Sequence, residues 1–420
     1  MGSTHLFRPA KKLCSCQKAN HLRVTCQKKN NRITAAAQPV LIALAAIIIL
    51  ALGLFFFNKN TTEQPDQTTA ESTPSALPTS EPVTFLNACK NGDAKQVAAA
   101  LAQGADPNAT GFFGKTPLML AAENNSDPDV ITTLINAGAD LKTTDTRGWN
   151  ALFLAAASNT NPAVLKALVQ AGADINATDS EGNSPLHLAI ALNTSPEISS
   201  TLIGLGANPN HTNNKGQFPL MLAITHAKPD AIKNLTAAGA DINRTTPDGQ
   251  PLFILALQKP NNTEILDALA AVGVDPNAPD SEGNTPLNLA LLKKAPLAVI
   301  KTLLEAGADV KAKNPQGLTS LMVAAWQTED PAVITALTKA GASPSGRDPE
   351  GMTPLMYAAA YNSSAEVIEA LLKAGSKPEI RDKNGYTALD HAIERENAVA
   401  VEILSKFSPP PKTTSDKSAD

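Results

Sequence analysis

A fixed period governs this chain. Glycines recur at Gly104, Gly138, Gly172, Gly206, Gly239, Gly273, Gly307, Gly341 and Gly375, with every step 34 residues long except the 33 between Gly206 and Gly239. Leucines keep pace with them at Leu118, Leu152, Leu186, Leu220, Leu252, Leu287, Leu321, Leu355 and Leu389. A period of this length marks one supersecondary unit that cannot bury its apolar face alone and must stack on copies of itself. The fold is thereby confined to a solenoid in which each unit touches its neighbours. Composition agrees: 43% of residues are hydrophobic but only 4% are aromatic, which suits thin helical layers of alanine and leucine.

The unit is most legible from Ala171 to Ala189, AGADINATDSEGNSPLHLA. Gly172 sits where a helix needs a left-handed residue to stop, a region glycine enters without a Cβ penalty. A polar turn follows, Asn176 to Gly182, and Ser184-Pro185-Leu186 opens a new helix with proline in its first turn, where the missing N–H costs nothing. This stretch resembles the ankyrin repeat, whose pattern is T-P-L-H-x-A after a turn glycine, then a second helix ending in G-A-D. The resemblance implies an all-α repeat fold, an ankyrin solenoid of about ten helix pairs. The opening pair, Phe85 to Ala102, has no finger before it and reads as the N-terminal cap. The resemblance also implies a protein that binds other proteins rather than an enzyme, with no cofactor and no small-molecule substrate.

The copies depart from the family pattern in ways that can be located. The usual period is 33, and the extra residue falls between the helices. The cap turn is Asn91-Gly92-Asp93, whereas the copies have Asn125-Ser126-Asp127-Pro128 or Thr160-Asn161-Pro162. Asp127, Asn161, Ser195 and Asp330 are thereby predicted to be N-caps, each followed by a proline (Pro128, Pro162, Pro196, Pro331), a strong helix start. This form is similar to the long-turn repeats of bacterial proteins. In the middle the pattern slips: the turn Thr225–Pro229 is a residue short, and Gly249-Gln250-Pro251-Leu252 lacks one before the proline, predicting a local change in curvature. The motif histidine survives only at His187. Met119, Phe153, Met221, Phe253, Met322 and Met356 replace it, so those copies are expected to rely more on packing. The last copy, Gly385 to Phe407, carries Glu394, Arg395, Glu396 and Glu402 and reads as a polar C-terminal cap.

The flanks differ in kind. The net charge of −4 is the balance of +8 in residues 1–57, −3 in 58–83, zero in 409–420 and −9 in the repeats between. Residues 1–37 read as a basic, disordered tail. Its Cys14, Cys16, His21 and Cys26 are a weak candidate for a zinc site, because only Ser15 separates the first two cysteines and a tight metal-binding turn is compromised. Residues 40–57, VLIALAAIIILALGLFFF, carry no charge and at 1.5 Å per residue span about 27 Å, enough for a hydrocarbon core. Residues 38–57 are therefore read as a transmembrane signal anchor. Arg23, Lys28, Lys29 and Arg32 precede the run closely and only Lys59 follows it, which puts the N-terminus in the cytoplasm and the repeats on the periplasmic or extracytoplasmic side of a single-pass inner membrane. Residues 58–83, rich in Thr, Ser and Pro, form the linker, 84–407 the repeat domain, and 408–420 a disordered tail.

For function, the acidic repeats argue against nucleic acid as their ligand. No Gly-rich phosphate loop, G-x-S-x-G elbow or H-E-x-x-H helix occurs. Cys89 reads as a small core residue, and Asp140 and Asp174 as turn residues bonding local N–H groups. The resemblance places partner contacts on the concave surface, at the finger tips and on the exposed side of the first helices. The large residues there are Trp149, Leu318, Met352 and Tyr386 beside turn glycines, and Trp326 and Tyr361 on first helices. Such types dominate interface energetics, although a ring can equally pack on the next finger. The leading expectation is a membrane-anchored scaffold for an unidentified protein partner. Its alternatives are a bacterial effector presenting the array to host proteins, and a zinc- or nucleic-acid-binding tail with accessory repeats.

Overall fold

The computed structural model of the chain describes residues 81–259 and 262–407. The expectations for the basic tail with Cys14, Cys16, His21 and Cys26, for the apolar run 40–57, for residues 58–80 and for the tail 408–420 lie outside the described residues. Within them, twenty α-helices follow one another in ten pairs. The first helices are α1 (Glu81–Asn91), α3 (Pro117–Asn124), α5 (Ala151–Ser158), α7 (Pro185–Ala191), α9 (Pro219–Thr225), α11 (Leu252–Ala256), α13 (Pro286–Leu292), α15 (Ser320–Gln327), α17 (Pro354–Tyr361) and α19 (Ala388–Glu394). Their second helices are α2 (Ala94–Ala102), α4 (Pro128–Asn136), α6 (Pro162–Gln170), α8 (Pro196–Gly204), α10 (Pro229–Ala237), α12 (Thr263–Ala271), α14 (Leu297–Glu305), α16 (Pro331–Lys339), α18 (Ala365–Lys373) and α20 (Ala398–Leu404). Helix α1 begins at Glu81, three residues inside the stretch read as linker. Pro82 falls in its first turn, where no intrahelical N–H bond is lost.

First helices pack on the first helices of adjacent pairs, and second helices on second helices. The period-keeping leucines from Leu118 to Leu355 are at most 1% exposed, and burying each contributes about 1.5–3 kcal/mol. The second helices supply the facing stripe, with Val130, Ile131 and Leu134 buried in α4 and Val367, Ile368 and Leu371 in α18. Each of the first nine pairs ends on its glycine, with φ between +82° and +99°. After α6 the Ala173 N–H donates to the Leu168 carbonyl and the Gly172 N–H to the Val169 carbonyl, both at 3.0 Å. This is the double closure that occupies the orphan carbonyls of a helix end.

The predicted second-helix starts are present: Asp127, Asn161, Ser195 and Asp330 are N-caps, each followed by its proline. The mid-array slip is a shortening. Helix α11 keeps only five residues, with Pro251 displaced to the N-cap, and the short turn before α10 is closed by Ala227 in a left-handed conformation, φ +53°. The expectation for methionine needs correcting. Met119, Met322 and Met356 still cap their helices, because each sulfur accepts the N–H of Thr116, Thr319 or Thr353 at 3.5, 3.4 and 3.3 Å. That is the place of His187 Nδ1, which lies 3.3 Å from the Ser184 N–H. Thioether sulfur is a weaker acceptor than imidazole nitrogen, but the methionine side chain is long enough to bring it to the same donor. At the far end Glu394, Arg395, Glu396 and Glu402 face solvent, as do the apolar Ile393 and Val399.

Candidate protein-binding surface

Between each second helix and the next first helix the chain makes a finger, and the fingers are tied from within. In the second finger Asp145 Oδ1 accepts the N–H groups of Arg147 and Trp149 at 2.8 and 3.0 Å. Asp179, Asp280, Asp348 and Asp382 do the same in theirs. Asp140 and Asp174 accept the N–H two residues on, each at 2.9 Å. These carboxylates are occupied by backbone.

On this frame the six candidate residues separate. Trp149 is half-buried. Its indole N–H donates to Asp179 of the next finger at 3.1 Å, the Arg147 guanidinium lies 4.1 Å from the ring centroid, and the ring packs on Phe153, Ala157 and Leu188. It is a strut between fingers, so here the ring packs on its neighbour. Leu318 is buried in the core and Met352 half-buried against it. Leu318 therefore drops out of the surface and Met352 retains only an edge. The turn-glycine position does not fix exposure, because a flexible apolar side chain there folds inward over the next helix.

Trp326, Tyr361 and Tyr386 remain accessible, at 40%, 39% and 48%. The Trp326 and Tyr361 rings, on α15 and α17, lie 6.2 Å apart. Tyr357 extends them, its centroid 6.3 Å from Tyr361. Arg395, just past α19, closes the strip, 5.1 Å from the Tyr361 ring and donating to its hydroxyl at 3.2 Å. Aromatic pairs at such separations contribute about 0.5–1.5 kcal/mol beyond area burial. The strip thus spans three successive repeats. Sequence reasoning missed Tyr357 and Arg395. The signal was there: Tyr357 is one helical turn from Tyr361, and Arg395 is one period after it. Tyr386 makes a separate feature on the last finger, its ring 5.8 Å from His391.

Two contacts set the electrostatics. The Tyr357 hydroxyl donates to Asp348 Oδ2 at 2.6 Å, and burial together with that carboxylate raises its pKa well above the usual phenol range. His391 Nε2 lies 2.8 Å from Asp382 Oδ2. Burial would raise the Asp382 carboxyl, but the Tyr386 N–H, the His391 ring and the Asn384 N–H outweigh it and hold it below the ordinary range. Tyr357 and His391 are one period apart, so the same finger-to-helix contact is made twice with different chemistry. Cys89 is fully buried in the N-terminal cap, its thiol pushed up to about 12 by burial; such a thiol is inert.

No curated protein matches this chain. The family model for ankyrin repeats, written as three copies, matches it over residues 85–179, 153–246, 220–314 and 321–413. Together with the ten stacked helix pairs, this shows that the chain belongs to the ankyrin repeat family, whose repeats generally mediate protein–protein interaction.

Proposed function

We propose that the chain is a membrane-anchored scaffold that holds a protein partner on the aromatic strip Trp326–Tyr361–Tyr357. The observation that carries this is the strip itself: in a chain with two Trp and three Tyr, three of the five form one row across α15 and α17, with Trp326 and Tyr361 exposed. Such rings give large contact area at low conformational cost, and with Arg395 they are the residue types that dominate binding energy. The charge-free run 40–57 supports the anchor, and the basic residues before it support a periplasmic or outer placement of the repeats.

The test is capture in cells by crosslinking through the repeat domain. Trp326→Ala combined with Tyr361→Ala abolishes capture and moves thermal unfolding by no more than a few degrees, since both rings are already partly in water. A fall of many degrees would instead assign these rings to the core. A reporter fused after residue 420 reads the side of the membrane directly, and cytoplasmic activity would overturn that placement.

A further inference from the structure

The first finger differs from the other eight. Its tip is Phe112-Phe113, whereas the corresponding pairs are Thr146-Arg147, Ser180-Glu181, Asn214-Lys215, Pro247-Asp248, Ser281-Glu282, Pro315-Gln316, Pro349-Glu350 and Lys383-Asn384. The two rings are 92% and 75% exposed, the most exposed large apolar side chains among the described residues. The turn also lacks the carboxylate or amide that ties other fingers, since Gly111 stands where Asp145 and Asp179 stand. It closes through backbone alone: the Gly111 N–H donates to Lys115 O at 2.8 Å, and Phe113 O accepts the Thr146 N–H of the next finger at 3.1 Å. Phe113 meanwhile sits at φ +60°, a conformation unfavourable for a bulky residue. Two bare rings, one on a strained backbone, are costly in water and gain most where water is absent.

The tip lies where the chain leaves the solenoid. A Cβ at Gly111 would come within 3.2 Å of Leu86 Cδ1 in α1, and α1 begins at Glu81. Between Glu81 and the apolar run 40–57 there are 23 residues, 58–80, which as a coil span about 26 Å. We infer that Phe112 and Phe113 insert into the surface of the lipid bilayer, giving the solenoid a second contact beside its tether. The inference rests on the reading of residues 40–57 as a membrane anchor. The tether keeps the tip at high effective concentration near the surface, so two rings suffice without a basic patch. The insertion fixes which end of the array faces the membrane, leaving the aromatic strip on the later repeats free for a partner.

The full chain carrying Phe112→Trp, reconstituted in phosphatidylcholine vesicles with or without brominated acyl chains, tests this. The added tryptophan, read against the wild-type chain, is expected to emit at shorter wavelength than an indole exposed to water and to lose emission in brominated vesicles. Adding Phe113→Gly, which removes one ring and relieves the backbone, weakens that loss while the fold is kept. Flotation with the vesicles reads the anchor separately. A chain that floats with equal emission in both vesicles overturns the tip alone; a chain that fails to float overturns the anchor and the tip's role with it. Unquenched emission that shifts with protein concentration would assign the tip to a second copy and also overturn the inference.

Discussion

The N-terminal copies and the middle copies solve the same problem differently. In the former, one asparagine per repeat is buried in the turn between helices. Asn159 donates to the carbonyls of Ala122 and Asn125 in the preceding repeat, both at 2.8 Å, and its own side-chain oxygen takes the Asn161 N–H at 2.9 Å. Asn125 and Asn193 repeat the pattern, and Asn362 and Asn397 resume it near the end. Every polar atom of the amide is used, so the ladder is buried without loss. In the middle it fails. Lys228 reaches back with one bond to Asn193 O at 2.7 Å, Asn262 turns inward to Ala256 of its own repeat, and the Thr328 hydroxyl accepts the Asp330 N–H within its own turn. Grooves open at these turns, about 180 Å³ between Asn193 and Lys228 and about 340 Å³ between Leu257 and Val299. Coupling there is left to the finger bonds, Asn210 to Gly239 and Asn277 to Gly307, which the N-terminal copies make in addition to their ladder, as at Asn108 to Gly138. A solenoid's stability is a sum of unit and interface terms, so the weaker interfaces are where the array should open first.

The largest expected effects test the ladder. Asn159→Ala strands two buried carbonyls and one N–H, costing roughly 2–4 kcal/mol in urea unfolding; Asn262→Ala, which breaks one bond inside its own repeat, costs about 1 kcal/mol. Equal costs would dissolve the distinction between the two regions. Acid gives a second large effect, centred on an N-terminal copy. His187 is buried between Ser184 and Gln217, and desolvation lowers its pKa from 6.5 to about 4. The unfolded state binds the extra proton first, so the stability is complete above pH 6.5 and is lost as pH falls towards 4, about 3 kcal/mol in all. His187→Met, the residue already present at Met119, should flatten that part of the pH profile, measured by unfolding at about pH 7 and about pH 4.5.

Smaller effects sharpen the comparison. Amide hydrogens of α11 and α12 should exchange faster than those of α5 and α6, by opening without global unfolding; uniform protection would mean that the finger bonds fully replace the ladder. Ala227→Gly relaxes a left-handed non-glycine residue and should stabilise by about 0.5–1 kcal/mol, whereas Gly172→Ala, at φ +99°, should destabilise by a similar amount or more. Thermal unfolding of the two variants reads both.

Much of the array was legible in sequence because its signals are local. Gly172, Pro162 and Asn161 each act on the backbone within a turn of themselves, so spacing alone places the helices. The asparagine ladder was not legible in the same way. Asn125, Asn159 and Asn193 keep the 34-residue step, but their role depends on which carbonyls the preceding repeat presents. Leu318 and Met352 failed as surface candidates for the same reason: a turn position tells where Cα lies, and packing decides where the side chain goes. Trp149 was placed correctly on a finger and then claimed by Asp179 of the next one.

By itself the sequence determined the period, the caps, the ten helix pairs and the family, since each follows from residues acting on their own backbone. Only the tertiary structure decided which aromatics remain in water, that methionine sulfur can stand in for histidine, that Phe112 and Phe113 are left bare, and where one repeat grips the next. The grip of one repeat on the next depends on atoms about a full period apart, brought within bonding distance by stacking, while the methionine contact spans three residues and turns on where packing sends the side chain; spacing along the chain encodes neither.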